Sequence, residues 1–392
     1  MLEHSPSFTI DDAERITRER YGRRSRAHAL TSERDQNFFI EASDGAPALV
    51  LKIANALEDR ALLEAQQQVL SLLAQRGLPI PHAVCTAAGD DIAEVPAPDG
   101  RRHFVWAITH LQGRLLADIR HRSPALLDEL GAAIGRLTTA LAVVNAPAFE
   151  RDFHWDLSGA TERVAAVRPA ISDETLGVAI DATLARVERY VTPMANSLHR
   201  AVIHNDLNDH NILVAGERVS GIVDFGDMLF GWRVADLAIA AAYAMLDAED
   251  PLAILASLVR GAQRECAFDD RELEVVFELA CLRLALSASI AVDQQRARPD
   301  NHYLGVSQSA IRRTLPNLVR IPHGLAAAVV REAAGLEPVA RAVRVREWLH
   351  TNASAFSSVL PIDVRSEPSV VLDLGIASSL ISGTPEENAE PA

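Results

Sequence analysis

The sequence predicts an α+β chain of two lobes, a small β-rich lobe at the N-terminus and a larger, mainly α-helical lobe after it. Three observations predict this. Strand-like apolar runs cluster before residue 110, helical spacing of apolar residues dominates from about residue 115, and one compact β unit at 211–224 interrupts the helices.

In chain order, residues 11–22 (DDAERITRERYG) predict a short helix, with Asp11 or Asp12 as its cap and Gly22 as its stop. The run Phe38-Phe39-Ile40, the turn residues Ser43-Asp44-Gly45 and the run from Ala48 to Ile53 predict a hairpin. Residues 59–76 place apolar side chains at 62, 63, 69, 70 and 73, a helical spacing closed by Gly77. A Pro/Asp/Gly-rich loop at 95–100 precedes a further strand, Arg102 to Thr109. Helical patterns then cover 123–145, 173–198, 234–247, 250–266, 270–296 and 323–350. Between them, Asn211 to Asp224 reads as two strands turning near Ala215-Gly216. The expected units are an N-lobe at 1–108, a C-lobe at 109–350 and a tail or linker at 351–392, with no internal repeat.

Composition excludes several classes. With 392 residues, 48% hydrophobic and 23% charged, the chain is too apolar for a disordered protein. Its net charge of −15 argues against nonspecific binding to nucleic-acid phosphates. Cys85, Cys266 and Cys281 are scattered, which fits a reducing compartment and gives neither a disulfide framework nor a zinc site. The N-terminus lacks the apolar core of a signal peptide. The apolar stretch from Val234 to Leu246 spans 13 residues, contains Asp236 and is too short for a bilayer. A soluble, cytoplasmic chain with no membrane or nucleic-acid partner is expected. The tail is Ser/Pro/Glu-rich, with six acids against one arginine, and only Val370-Val371-Leu372 suggests a docking strand. One number stands out: of 38 basic residues, 37 are arginine and Lys52 is the single lysine.

The densest chemical signal runs from Ile203 through His204, Asp206 and Asn211 to Leu213, followed by Asp224-Phe225-Gly226. An Asp and an Asn five residues apart, then a hairpin, then a second Asp at a strand end, are the parts that phosphoryl transfer from a nucleotide needs. One carboxylate orients or deprotonates the attacking hydroxyl. The Asn and the second carboxylate hold Mg²⁺, which offsets charge on the transferring group. Upstream, Lys52 lies in a strand, and Glu64 follows twelve residues later on a helix, placed to pair with it. His204 reads as an organiser of the loop rather than a base. His204 and His210 are poor metal ligands here, because Mg²⁺ prefers oxygen.

The pattern H-x-D-L-x-x-x-N followed by D-F-G resembles the aminoglycoside phosphotransferase and choline kinase family, which shares the bilobal protein-kinase-like fold. The APE segment of protein kinases is absent after Asp224, and Gly231 to Leu237 is similar to the small-molecule kinases. The segments DQN at 35–37, HNDLNDHNIL at 204–213, DFGDM at 224–228 and Asn301 to Leu304 resemble hydroxylysine kinases. The resemblance spans about residues 10–350. It implies Asp206 as catalytic base, Asn211 and Asp224 as Mg²⁺ ligands, and Lys52, held by Glu64, on the α/β phosphates. It further implies that Ser32 to Asn37 covers the phosphates and that Thr109 to Leu111 forms the hinge against the base. The cover segment contains no glycine, unlike its protein-kinase counterpart.

The implied activity moves the γ-phosphoryl group of ATP or GTP to a hydroxyl of an amino-containing metabolite, hydroxylysine first. Aminoglycosides, choline, ethanolamine or homoserine are the alternatives. Asp209, Asp227 and Asp236 are candidates for an ammonium-binding acceptor pocket, and Asp236 reads equally as a helix cap. Arg283 and Asp293 on the long helix are candidates for an acceptor carboxylate and amine. Trp155 and Trp232 read as core residues or as partners of a substrate cation. A second class is a catalytically idle binding module, against which the full residue set argues. The tail also suits a chain fused to a pyridoxal-phosphate-dependent, aminotransferase-like enzyme.

Overall fold

Strands that are apolar on both faces shape the N-terminal sheet. The computed structural model describes residues 6–32, 35–42, 45–97, 100–297 and 307–340, together with 344, 347, 348 and 351. Helix α1 (Ile10–Tyr21) leads into β1 (Ser25–Leu30), β2 (Gln36–Ala42) and β3 (Leu49–Ile53). Then come α2 (Arg60–Gln75), β4 (Ala83–Val84), β5 (Ala93–Pro96) and β6 (Arg102–Thr109). The sheet order is β1-β2-β3-β6-β4, with β5 also on β6, and the described pairings are antiparallel. Phe38, Ile40, Leu49, Leu51, Ile53 and Val105 pack with Ala13 and Ile16 of α1 in one small core. Alternation sends the intervening residues the other way, so Trp106 and Ile108 join the larger core with Leu63 and Leu70 of α2. Lys52 lies on that second face, in register with Asn37 on one side and Trp106 on the other.

The larger part contains β7 (Arg114–Leu115), α3 (Pro124–Leu141), α4 (Ala160–Val167) and α5 (Glu174–Tyr190). It continues through β8 (Arg200–Ile203), β9 (Ile212–Ala215), β10 (Arg218–Ile222) and β11 (Leu229–Trp232). Helices α6 (Ala235–Ala244), α7 (Pro251–Glu265), α8 (Asp270–Ala297), α9 (Gln308–Leu318) and α10 (His323–Ala333) follow. β9 pairs with β10 and β7, and β8 pairs with β11. α8 is the axis of the helical lobe, touching α4, α5, α6, α9 and α10. It is long and apolar enough to cross a membrane, but 89% of its apolar window is buried inside the protein. α3 and α7 approach so closely that a Cβ at Gly261 would lie 1.9 Å from the Asp128 carbonyl oxygen.

Several boundaries differ from expectation. Thr9, not Asp11 or Asp12, caps α1; Asp12 is its reciprocal partner in a capping box. α5 stops at Tyr190, and Pro193 lies in a 3₁₀ stretch from Thr192 to Ser197. The last expected helix is interrupted after Ala333, where Gly335 takes a left-handed φ of 76°, and the described residues 344, 347, 348 and 351 are again helical. Strands β1, β4, β5, β7, β8 and β11 and helices α4 and α9 are additional elements, most of them too short for periodicity to register. Asn301 to Leu304 and the tail from residue 352 lie outside the described residues.

A charged cluster docks α10. Arg186 donates to both oxygens of the buried Glu278 at 2.7 and 2.8 Å, and to the carbonyls of Val319 and Ile321. His323 Nδ1 lies 2.8 Å from Glu278, and its ring stacks on Tyr190 with centroids 3.7 Å apart. Burial works against the charged imidazole, but Glu274 and Glu278 outweigh it and hold the His323 pKa above 6.5. Burial likewise works against the Glu278 carboxylate, but His323 and Arg186 hold it below 4.5. The His323 contribution is therefore full below its unfolded pKa and lost as pH rises through the folded one. The Glu278 contribution is lost as pH falls through its own. Urea unfolding of the wild type and His323→Gln should show a larger wild-type advantage at about pH 5.5 than at about pH 9. An advantage equal at the two pH values would count against a charged His323.

Candidate active site

One buried carboxylate fixes the loop that follows β8. Asp236, in the first turn of α6, is fully buried and accepts the backbone N–H groups of His204 at 2.9 Å and Asn205 at 2.8 Å, one on each oxygen. Burial pushes its carboxyl up to about 6, against the pull of those two bonds. Asn205 is held at φ 66°, a left-handed conformation rare for a residue with a side chain. The His204 ring lies beneath the loop, with Nε2 3.0 Å from the Val223 carbonyl and Nδ1 accepting the Asp206 N–H at 3.3 Å. Its edge meets Phe225 at 4.6 Å. Burial lowers its pKa to about 4, so the ring is neutral with its proton on Nε2.

Asp206 is thereby presented with a fixed carboxylate. Oδ1 accepts from Arg283 Nη2 at 2.8 Å and Asn208 Nδ2 at 2.9 Å, and Oδ2 accepts from Asn211 Nδ2 at 2.7 Å. Burial pushes the Asp206 carboxyl up, Arg283 draws it down, and the charges of Asp227 and Asp224 add to the rise. The Val223 N–H donates to the Asn211 carbonyl at 2.9 Å, which sets Asn211 beside Asp224. Asp224 is half-exposed, takes φ 62°, and accepts from Lys52 Nζ at 3.0 Å. The buried Lys52 lies 5.8 Å from the centre of the Trp106 ring, in a cleft lined also by Gln66, Gln67 and Phe225. The structure thus brings Lys52, Asp206, Asn211 and Asp224 together. Because Asn211 spends its amide nitrogen on Asp206, its Oδ1 is the atom it can offer a cation. With the Asp224 carboxylate this is an all-oxygen donor set, which fits Mg²⁺.

Of the expected cover, residues 33 and 34 lie outside the described residues, and the other hinge and cover candidates lie within them. Thr109 Oγ1 accepts the His82 N–H at 2.9 Å, and the His110 N–H donates to Ala48 at 3.1 Å. Leu111 runs over Gly221 of β10, where a Cβ would come within 2.9 Å of it. Ser32 is exposed just after β1, Asp35 accepts the Asn55 N–H at 3.0 Å, and Asn37 stands opposite Lys52.

Other candidates are placed differently. Glu64 does not meet Lys52: it pairs with Arg60 at 2.7 Å on the half-exposed side of α2. The helix turns Gln66 and Gln67 toward the cleft instead, where Gln66 Nε2 donates to Gly226 at 3.3 Å, and Asp224 places a carboxylate beside Lys52. Asp209 is paired with Arg122 at 3.1 Å, and that guanidinium also holds the carbonyls of Leu116, Tyr243 and Ala244. Asp236 is spent on the loop backbone, and Arg283 on Asp206. Asp293 is exposed on α8, ten residues beyond Arg283 and so about 15 Å along the axis at 1.5 Å per residue. Asp227, in the turn after Asp224, lies near enough for its charge to raise the Asp206 carboxyl. Sequence reasoning missed Gln66, Gln67, Trp106, Arg122 and Arg151. Strand register marks Trp106 and the helical period marks Gln66. Arg151, which donates to the carbonyls of Gly226 at 2.9 Å and Met228 at 3.0 Å, leaves no local signal.

Comparison with known proteins bears on the family and the fold. The model of the phosphotransferase enzyme family matches residues 27–275. The chain is 30% identical to hydroxylysine kinase of Xenopus laevis over 323 residues, covering 76% of this chain and 86% of that protein. It is 28% identical to homoserine kinase of Pseudomonas aeruginosa (strain UCBPP-PA14) over 273 residues, covering 66% and 78%. Among solved structures, an amicoumacin kinase aligns with a TM-score of 0.60 at 16% identity, covering 81% of this chain and 95% of that one. A microcompartment-associated aminopropanol kinase aligns at 0.58 and 18%, covering 84% and 100%. Both share the protein-kinase-like fold.

Replacing Lys52 by Arg should lower turnover by about 100-fold, because a wider guanidinium cannot take the place of a compact ammonium between Trp106 and Asp224. Turnover within threefold of wild type would show that charge alone suffices there.

Proposed function

The chain belongs to the phosphotransferase enzyme family, and on that premise we propose that it transfers the γ-phosphoryl group of ATP or GTP to a hydroxyl of an amino-bearing metabolite, with hydroxylysine as the acceptor. What carries the proposal is the convergence of Lys52, Asp206, Asn211 and Asp224 on one cleft between the β sheet and the helical lobe. Hydroxylysine is favoured over homoserine because its kinases match a larger share of the chain, 76% against 66%.

Each residue has a role that its surroundings support. Lys52 lies at the cleft wall as a point charge for the α/β phosphates, and Asp224 holds it in place. Asn211 Oδ1 and Asp224 are the groups that would hold Mg²⁺. When bound, the ion offsets the negative charge of the phosphates. Asp206 Oδ2 receives the acceptor hydroxyl. As the acceptor oxygen forms its bond to the γ-phosphorus, its proton passes to Asp206. The bond from that phosphorus to the β-bridging oxygen breaks, and the nucleoside diphosphate leaves with the electron pair. The negative charge of Asp227, felt at Asp206, suits the acceptor's ammonium.

The test is a panel of hydroxylysine, homoserine, choline, ethanolamine and an aminoglycoside with ATP or GTP and Mg²⁺, read as diphosphate release. Hydroxylysine should give the highest kcat/KM. Asp206→Ala should lower kcat by about 1000-fold while leaving the nucleotide dissociation constant within about threefold. Turnover of homoserine alone moves the assignment to that acceptor, and no turnover together with no nucleotide binding overturns the kinase assignment.

A further inference from the structure

Arg283 is among the most deeply buried large side chains of the protein, with 1% of its surface exposed. Its Nη2 donates to Asp206 Oδ1 at 2.8 Å, and Nη1 lies 3.4 Å from the Asn205 carbonyl. Its guanidinium plane stacks on Trp155, with the central carbon 4.4 Å from the ring centroid, and Tyr243 flanks it at 5.8 Å. With 2% of the side chain exposed, the guanidinium is closed off from a substrate carboxylate by burial, and its Nε points into the packed interior without a hydrogen-bond partner among the described residues. Arg283 lies on the long helix α8, which packs against the helices around the catalytic loop.

We propose that Arg283 is a positioning residue for phosphoryl transfer. It occupies Asp206 Oδ1 and fixes the carboxylate's rotation, so that Oδ2 alone, already oriented by Asn211, meets the acceptor hydroxyl. Trp155 acts through it, holding the guanidinium in its plane. The sequence-based expectation that Arg283 anchors an acceptor carboxylate is replaced. Discrimination for or against that carboxylate must arise elsewhere, and loss of Arg283 should penalise acceptors with and without one alike. This role rests on the kinase function proposed above.

The experiment pairs two acceptors with their decarboxylated forms: hydroxylysine with its diamine, and homoserine with its amino alcohol. Wild type, Arg283→Met and Arg283→Lys are assayed with saturating nucleotide. Arg283→Met should lower kcat by about 100-fold for both members of a pair, leave each KM within about threefold, and recover in part when guanidinium ion is added at tens of millimolar. Loss confined to the KM of the carboxylate-bearing member would restore the anchoring role and overturn the proposal, as would kcat within threefold of wild type. If Arg283→Met does not fold, Arg283→Lys carries the test. It keeps the charge without the planar fork, and kcat should fall about tenfold with KM unchanged. Wild-type kcat in that variant also overturns the proposal. Failure of the kinase assignment is distinct, because wild type then turns over no member of either pair.

Discussion

The candidate site depends on the two hydrogen bonds from the His204 and Asn205 backbone to Asp236. Bonds from an N–H to a charged group contribute about 1.5–3 kcal/mol each, and the same groups left buried without an acceptor would cost a comparable amount. That energy is large enough to hold Asn205 in its left-handed conformation, which redirects the chain so that Asp206 turns outward. Everything downstream follows from this. His204 is pinned to Val223, Asp206 is met by Asn208, Asn211 and Arg283, and Asn211 is laid against the strand that ends in Asp224. The carboxylate that does this comes from the first turn of a helix with ten buried residues, so the anchor itself cannot move without disturbing the core.

Arginine does most of the fastening around that loop. Arg122 ties Asp209 to the end of α6, Arg151 holds the turn after Asp224 by two carbonyls, and Arg233 engages the buried Glu272 through Nε and Nη2. Each uses the planar fork to satisfy two or more acceptors, which an ammonium cannot do in a fixed plane. Lys52 is the exception in composition and in surroundings. It sits on a strand between Asn37 and Trp106, where a compact charge on a flexible stem reaches Asp224. Around this loop the choice of cation follows the work each side chain does. Guanidinium groups clamp acceptors within the fold, and the one ammonium presents a point charge in a cleft.

How much of this the sequence disclosed follows from the range over which each signal acts. Strands β2, β3 and β6 and the long helices announce themselves through apolar runs or periods bounded by turn residues. β8 and β11, at four residues each, do not, and they are the pair that carries the catalytic loop. The Asp206, Asn211 and Asp224 spacing is legible because loop and hairpin are local. The partners of those residues are not, since Arg283, Arg151 and Asp236 reach the site through tertiary packing. Glu64 shows the limit most clearly. Its distance along the chain from Lys52 suited an ion pair, yet helix phase points Gln66 and Gln67 into the cleft and leaves Glu64 with Arg60.

The Asp236 carboxylate, by accepting two backbone N–H groups, holds the loop in its working conformation, and the rest of the site is built on that hold. Asp236→Asn tests it most directly, because the exchange replaces one accepting oxygen with a donor and changes little else in size. In this variant kcat should fall by about 100-fold, while the nucleotide dissociation constant, set chiefly by the cleft around Lys52, stays within about threefold and the far-ultraviolet circular dichroism is unchanged. A variant that folds and retains kcat within threefold of wild type would contradict it.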